Sequence, residues 1–132
     1  MPLPDDPDAF ESAFRAALTA VLPSTTVQRV SRTIIAIKLR VDLDEHRFID
    51  VFFNARNRRM DLAVIEHGER IFGYDNLGGW HRYPRGAPER HEACAEPSLE
   101  TFIYARELGH SFLRPSGALS ATRTRLPVTE FQ

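Results

Sequence analysis

The chain has 132 residues, of which 42% are hydrophobic and 27% charged, as in a single folded domain rather than a disordered or membrane protein. Its formal net charge of −1 lacks the broad excess of positive charge that gives non-specific duplex binding. No apolar run approaches the ~20 residues that span a bilayer. The acidic, proline-rich segment from Met1 to Asp6 differs from a secretory signal. These features predict a cytoplasmic protein with no membrane partner.

The first predicted element is a helix. Asp6 followed by Pro7 is typical of an N-cap and the first helical residue. Apolar residues then recur at helical spacing until Pro23 ends the pattern. These residues are Phe10, Phe14, Ala17, Leu18, Val21 and Leu22. A helix with one apolar stripe requires a sheet or another helix to cover it.

Four strands are predicted next, over residues 27–43, 48–54, 59–66 and 70–75. The first alternates apolar and polar side chains, which is typical of a strand with one face in water. The short turns between strands make each successive pair antiparallel, and His67-Gly68 is typical of a tight hairpin.

A second helix is predicted to begin with Ser98 as its N-cap and to end at Gly109 in the left-handed conformation. The fold class is therefore α+β: a single domain over residues 1–113, in which a four-stranded antiparallel meander is flanked by an N-terminal and a C-terminal helix. Residues 114–132 are predicted to form an extended or disordered tail. The predicted core is Phe14, Leu18, Ile35, Ile37, Leu39, Val51, Phe53, Leu62, Val64 and Phe102.

The long connection from Asp75 to Pro97 carries the candidate functional site, since unstructured connections of that length are usually functional or mobile. Gly78 and Gly79 let its backbone bend, and aromatic side chains around them offer surfaces on which a ring could stack. The predicted catalytic residues are His81, His91, Arg82 and Tyr83. The predicted substrate-binding residues are Trp80, Arg85, Tyr74, Asp75 and Asn76.

These residue types suit metal-independent RNA cleavage. The imidazole of His81 can carry a proton near neutral pH, and a guanidinium from Arg82 or Arg85 can hold a phosphate and stabilise its developing charge. Tyr83 can donate a hydrogen bond or stack on a base. The same residue types also make plain binding loops, and Asp75 and Asn76 readily shape a turn through hydrogen bonds to backbone amides.

A metal-based alternative combines Asp75 with His81 and His91, because two imidazoles and a carboxylate can bind zinc, iron or manganese. Asp50 and Asp61 form a second acidic pair that could bind a cation or share a proton if their strands pair. No cofactor is predicted for the metal-independent reaction.

Cys94 is the single cysteine, which excludes an intramolecular disulfide and a cysteine-based zinc site within one chain. His91 lies three residues away, so a nucleophilic role would be conceivable if the pKa of the thiol were depressed.

The region from Asp50 to Leu108 resembles the TumE-like toxins of prokaryotic toxin-antitoxin modules and related small proteins. The resemblance lies in Arg70-Ile-Phe-Gly-Tyr-Asp-Asn76, the following Gly-Gly-Trp-His81, His91, and Glu96-Pro-Ser-Leu-Glu100. The family pattern places a second histidine two residues after the first, where this chain has Tyr83. The resemblance implies an intracellular toxin that acts on RNA and is neutralised by a cognate antitoxin.

Three hypotheses follow. The first is a toxin-like endoribonuclease, with His81 as acid or base and His91 as the second proton carrier or orienter. The second is a non-catalytic module that binds a protein partner, or a subunit of a larger complex, anchored by Trp80, Tyr83 and arginines. The third is a metal-dependent hydrolase that uses Asp75, His81 and His91.

Overall fold

The computed structural model describes residues 6–87 and 89–112, with side chains in the last helix described as far as Arg106. Within these residues the fold is α+β, as predicted. Helix α1 spans Pro7–Val21 and helix α2 spans Leu99–Phe112. Between them lie β1 (Val27–Arg32), β2 (Ala36–Asp44), β3 (Arg47–Asn54), β4 (Arg59–Glu66), β5 (Glu69–Asp75), β6 (His81–Tyr83) and β7 (Glu92–Ala93).

The strands form one antiparallel sheet in the order in which they occur along the chain. The antiparallel meander is confirmed, but the described residues form a sheet of seven strands rather than the four predicted. Two of the additional strands, β6 and β7, lie inside the connection that was predicted to be a loop.

The third additional strand arises because residues 27–43 form a hairpin instead of one long strand. Thr33 makes the turn: its Oγ1 accepts from the backbone N–H groups of Ile35 and Ala36, and its own N–H donates to the Ala36 carbonyl. Regular alternation of apolar and polar side chains begins only at Ile35, so the extension of one strand back to Val27 was wrong. Ile34, at the tip, is 88% exposed.

The other turns follow the predicted positions. His67 and Gly68 both have positive φ, 52° and 81°, as a type I′ hairpin requires. Asn54 begins the β3–β4 turn, where its Oδ1 accepts from the backbone N–H groups of Arg56 and Asn57.

Helix α1 begins as its sequence predicts. Asp6 has an extended backbone, its Oδ1 accepts from the N–H of Ala9 at 2.7 Å, and Pro7 is the first helical residue. The helix ends at Val21, two residues before Pro23.

Helix α2 has the predicted start but not the predicted end. The Ser98 hydroxyl accepts from the N–H of Thr101 at 3.0 Å, which confirms the N-cap. The prediction that Gly109 ends the helix is wrong, because α2 continues to Phe112. Glycine costs about 1 kcal/mol inside a helix relative to alanine, which does not by itself terminate one. The predicted tail at 114–132 lies outside the described residues.

Both helices cover the same face of the sheet, where the core lies. Nine of the ten predicted core residues are buried there, and Phe10, Val41, Ile49, Phe72, Tyr74 and Ile103 join them. Ile35 is the exception: it lies in the β1–β2 turn, where it is only half-buried. The other face carries no helix among the described residues and is called the open face below.

No helix in the described part of the chain is both long and apolar enough to cross a membrane.

Candidate functional site

The connection after Asp75 is partly a strand, and this decides which of its side chains meet. Successive side chains of a strand point to opposite faces. His81 pairs with Asp75 and Tyr83 with Gly73, on the open face, whereas Arg82 pairs with the core residue Tyr74. The candidate residues therefore lie on two faces of the sheet: His81 and Tyr83 on the open face, and Arg82 on the core face. A prediction that treated this segment as a loop could not separate them.

Tyr83 is fixed in place by β5. Its hydroxyl donates a hydrogen bond to Oδ2 of Asp75, a carboxylate that is only 4% exposed. Burial, followed by the hydrogen bond to Asp75, raises the pKa of Tyr83 to about 12. At neutral pH the phenol is therefore protonated, and its proton is engaged with Asp75.

Arg70 lies beneath this tyrosine. Its guanidinium carbon is 4.5 Å from the centre of the Tyr83 ring, and its Nη2 donates to Oδ1 of Asp61 at 2.9 Å. Gly73 makes room for it: a Cβ at that position would lie 2.6 Å from Nη1 of Arg70 and would collide with the carbonyl oxygen of Leu62. Arg70 and Gly73 thus support the site without having been predicted to belong to it.

His91 approaches the other two side chains from the segment before β7. Its ring centre lies 4.4 Å from that of Tyr83 and 6.5 Å from that of His81. His91 is exposed, and His81 and Tyr83 are half-buried. We call His81, Tyr83 and His91 the histidine–tyrosine cluster. The structure brings the two predicted proton carriers together here.

Arg82 does not belong to this cluster. Its Nη2 donates to Oε1 of Glu92 at 2.7 Å, because β6–β7 pairing places these two residues side by side. Hydrogen bonding and charge from Arg82 lower the pKa of Glu92, with burial opposing them. Arg90 lies 3.4 Å from the other oxygen of Glu92, and its side chain is 66% exposed. Arg82 could hold a phosphate only if the ion pair with Glu92 opened.

Three of the predicted substrate-binding residues lie outside the histidine–tyrosine cluster. Tyr74 is 4% exposed and packs edge-on to Phe72 and Phe102, so it is a core residue. Trp80 packs against the core. Arg85 is half-buried with two unpartnered nitrogens, and burial lowers its pKa to about 10. These three are not brought into the cluster.

Asp75 and Asn76 shape the turn after β5. This role was predicted from the sequence as the alternative to substrate binding. Oδ1 of Asp75 accepts from the N–H of Leu77 at 3.1 Å. The Asn76 side chain accepts from the N–H of Met60 at 2.8 Å and donates to the Arg58 carbonyl at 2.9 Å. Asn76 therefore extends the pairing of β5 with β4.

The proposed metal ligands do not assemble. Both Asp75 oxygens accept hydrogen bonds, from Tyr83 and from Leu77. Over the described part of the chain, no group of three or more histidine, cysteine, aspartate or glutamate side chains could hold a metal ion. The structure therefore gives the metal-dependent hypothesis no ligand set.

Asp50 and Asp61 share the open face, diagonally placed on paired strands. Each has its own cation: Lys38 lies 3.4 Å from Asp50, and Arg70 lies 2.9 Å from Asp61. The two carboxylates are thus neutralised separately rather than sharing a cation or a proton. Burial raises the pKa of Cys94, which opposes formation of the thiolate that a nucleophilic role requires.

His46 and His67 lie in turns and stack on each other with ring centres 4.5 Å apart. The N–H of His67 also donates to the His46 carbonyl at 2.9 Å. The pairing of β3 with β4 brings their turns to the same end of the sheet.

Tyr83→Phe tests the bond to Asp75 through the pH dependence of folding. An unfolded phenol ionises near pH 10, whereas folded Tyr83 has a pKa of about 12. The stability that the phenol contributes is therefore fully present below about pH 10 and is lost as pH rises toward 12. The excess free energy of unfolding of the parent over Tyr83→Phe, measured by urea denaturation, should shrink across that interval. Tyr104→Phe, at an exposed position, is the matched control, and a constant difference between parent and Tyr83→Phe would contradict the assignment.

Comparisons of the chain with protein-family models, with curated proteins and with solved structures find no match.

Proposed function

We propose that this chain is a metal-independent endoribonuclease, of the kind that the resemblance to TumE-like toxins implies. The observation that carries the proposal is the convergence of His81 and His91 on the open face, with ring centres 6.5 Å apart beside a fixed tyrosine. Two imidazoles this close can both contact one phosphodiester. RNA cleavage needs such an arrangement, because one group must take a proton and another must give one.

The proposed reaction uses both imidazoles. One imidazole removes the proton of the ribose 2′-hydroxyl, whose oxygen attacks the adjacent phosphorus. The bond from phosphorus to the 5′ oxygen breaks, and the other imidazole protonates the leaving oxygen. The products are a 2′,3′-cyclic phosphate and a free 5′-hydroxyl. Tyr83, held by Asp75, forms the wall against which His91 packs.

The proposal assigns the charge on the phosphate to Arg90 rather than to Arg82. Arg90 adjoins His91, its side chain is 66% exposed, and its contact with Glu92 is the longer of the two. The exposed guanidinium of Arg90 can turn toward a bound phosphate at a lower free-energy cost than that of Arg82, which Glu92 holds at 2.7 Å on the other face of the strand.

The test is cleavage of single-stranded RNA by the purified protein in the presence of EDTA. We expect cleavage to persist with the chelator and to leave cyclic phosphate or 3′-phosphate ends together with 5′-hydroxyl ends, identified by mass spectrometry. Cleavage that EDTA abolishes, or 5′-phosphate products, would contradict the proposed chemistry. A protein with no cleavage activity would contradict the proposal as a whole.

A protein-binding role is the second candidate, and one observation favours it. Val30, in the edge strand β1, and Ile34, in the turn that follows it, are 48% and 88% exposed. An exposed edge with apolar side chains is a common site for pairing with another chain, although the irregular β1–β2 register at Arg29/Ser31 partly blunts it. A cognate antitoxin is the partner that the family resemblance suggests.

A further inference from the structure

The open face extends well beyond the histidine–tyrosine cluster, and one row of residues crosses it. Arg40 of β2 pairs with Asp50 of β3, Asp50 with Ala63, Ala63 with Gly73, and Gly73 with Tyr83 of β6. Arg40 and Tyr83 therefore lie on the same row, four strand spacings apart. At ~4.8 Å per spacing, the distance between them is about 19 Å.

Arg40 is a cation without a carboxylate partner among the described residues. Its neighbour Asp50 is engaged by Lys38 at 3.4 Å, and Asp42, on the same face, accepts from Gln28 at 3.3 Å. Asp61 is engaged by Arg70 at 2.9 Å. Asp50 and Asp61 thus have other cations as partners, and Arg40 forms no ion pair within the described residues.

The guanidinium of Arg40 lies over an aromatic ring. Its carbon lies 4.1 Å from the centre of the Phe48 ring, so the planar cation rests on an aromatic side chain. A guanidinium held in this way offers a flat surface for a base and N–H donors for a phosphate, and single-stranded RNA presents both. A carboxylate-rich protein would use the charge but not the planar surface.

We propose that a single-stranded RNA substrate crosses the open face from the histidine–tyrosine cluster to Arg40, which binds a nucleotide several positions from the cleaved bond. The inference rests on the proposed function for one end of this path and adds an extended substrate site to it. A span of about 19 Å corresponds to on the order of four nucleotides, at the lower end of the sites that single-strand-binding proteins cover.

Binding is measured with the His81→Ala protein, so that the RNA stays intact. The probe is a fluorescein-labelled single-stranded oligoribonucleotide of about a dozen nucleotides, followed by anisotropy at several salt concentrations. Arg40→Gln should weaken binding by roughly 10-fold and reduce the dependence of log K on log salt by about 0.7, the contribution of one phosphate contact to a single strand. Arg40→Lys should keep the salt dependence but lose affinity, because lysine retains the charge and not the planar surface.

Arg56→Gln is the matched control, since it removes the same charge from an exposed turn. An oligonucleotide affinity that is equal in the Arg40→Gln and Arg56→Gln proteins would overturn the inference. So would an Arg40 substitution that abolishes binding to a protein partner and leaves RNA affinity unchanged.

Cleavage of a dinucleotide separates this inference from the proposed function, because so short a substrate cannot reach Arg40. With Arg40→Gln, the loss of kcat/KM should be larger for the long RNA than for the dinucleotide, whereas equal losses would overturn the inference. A parent protein that cleaves the dinucleotide but does not bind the longer RNA more tightly would refute the extended site and leave the nuclease proposal standing. RNA binding that depends on Arg40, in a protein without cleavage activity, would support the extended site and refute the nuclease proposal.

Discussion

Replacing His81 by alanine should lower the rate of RNA cleavage by roughly 10²- to 10⁴-fold, the usual contribution of one general acid or base. The expectation is specific to His81 because its side chain lies on the open face beside Tyr83, within 6.5 Å of the His91 ring. The measurement is single-turnover cleavage of a single-stranded RNA by the parent and the variant at the same pH. Since His81 is half-buried and outside the core, the variant should retain the circular dichroism spectrum of the parent.

His46→Ala is the matched control for that substitution. It removes an imidazole from the β2–β3 turn and should leave the cleavage rate unchanged. If the protein arrests growth when expressed in cells, the His81 change should relieve the arrest and the His46 change should not. Cleavage at the parental rate by a folded His81→Ala protein would exclude His81 as a proton carrier.

Much of the fold was predictable because local chemistry and tertiary packing agree. Asp6 and Ser98 cap their helices, and His67-Gly68 forms the expected hairpin turn. The seven-stranded sheet was not predictable in full. Residues 27–34 show no regular alternation that would mark β1 and its turn, and three-residue and two-residue strands are too short to show a period.

The sequence identified the two histidines of the site, but it did not predict how the strands bring them together. His81 and His91 do meet, yet they meet because β7 pairs with β6 and so brings His91, just before β7, beside Tyr83 of β6, which spacing alone does not indicate. Applying strand alternation to residues 81–83 would have separated Arg82 from its two neighbours. Arg70 and Gly73 gave no such signal, because their role depends on a close approach across strands.

The position of β5, which carries Asp75, depends on the packing of α2. Phe102 is fully buried. Its ring centre lies 6.2 Å from that of Phe72 and 6.3 Å from that of Tyr74, and both of these residues belong to β5. Phe102→Ala would remove this contact and leave a cavity between helix and sheet. Substitutions of this kind cost about 3–5 kcal/mol of the free energy of unfolding, which is a large part of the stability of a small domain. Urea denaturation followed by circular dichroism measures the loss.

Tyr104→Ala, on the same helix, is the control for Phe102→Ala. Its side chain is 53% exposed, so this substitution removes an aromatic ring of similar size with little loss of buried area. We expect a change within about 0.5 kcal/mol, as is usual for surface positions. Hydrogen exchange should also rise at the amides of β5 in Phe102→Ala and not in Tyr104→Ala, because Phe72 and Tyr74 lose their cover. Equal destabilisation by the two substitutions would show that α2 does not hold β5 in place through Phe102.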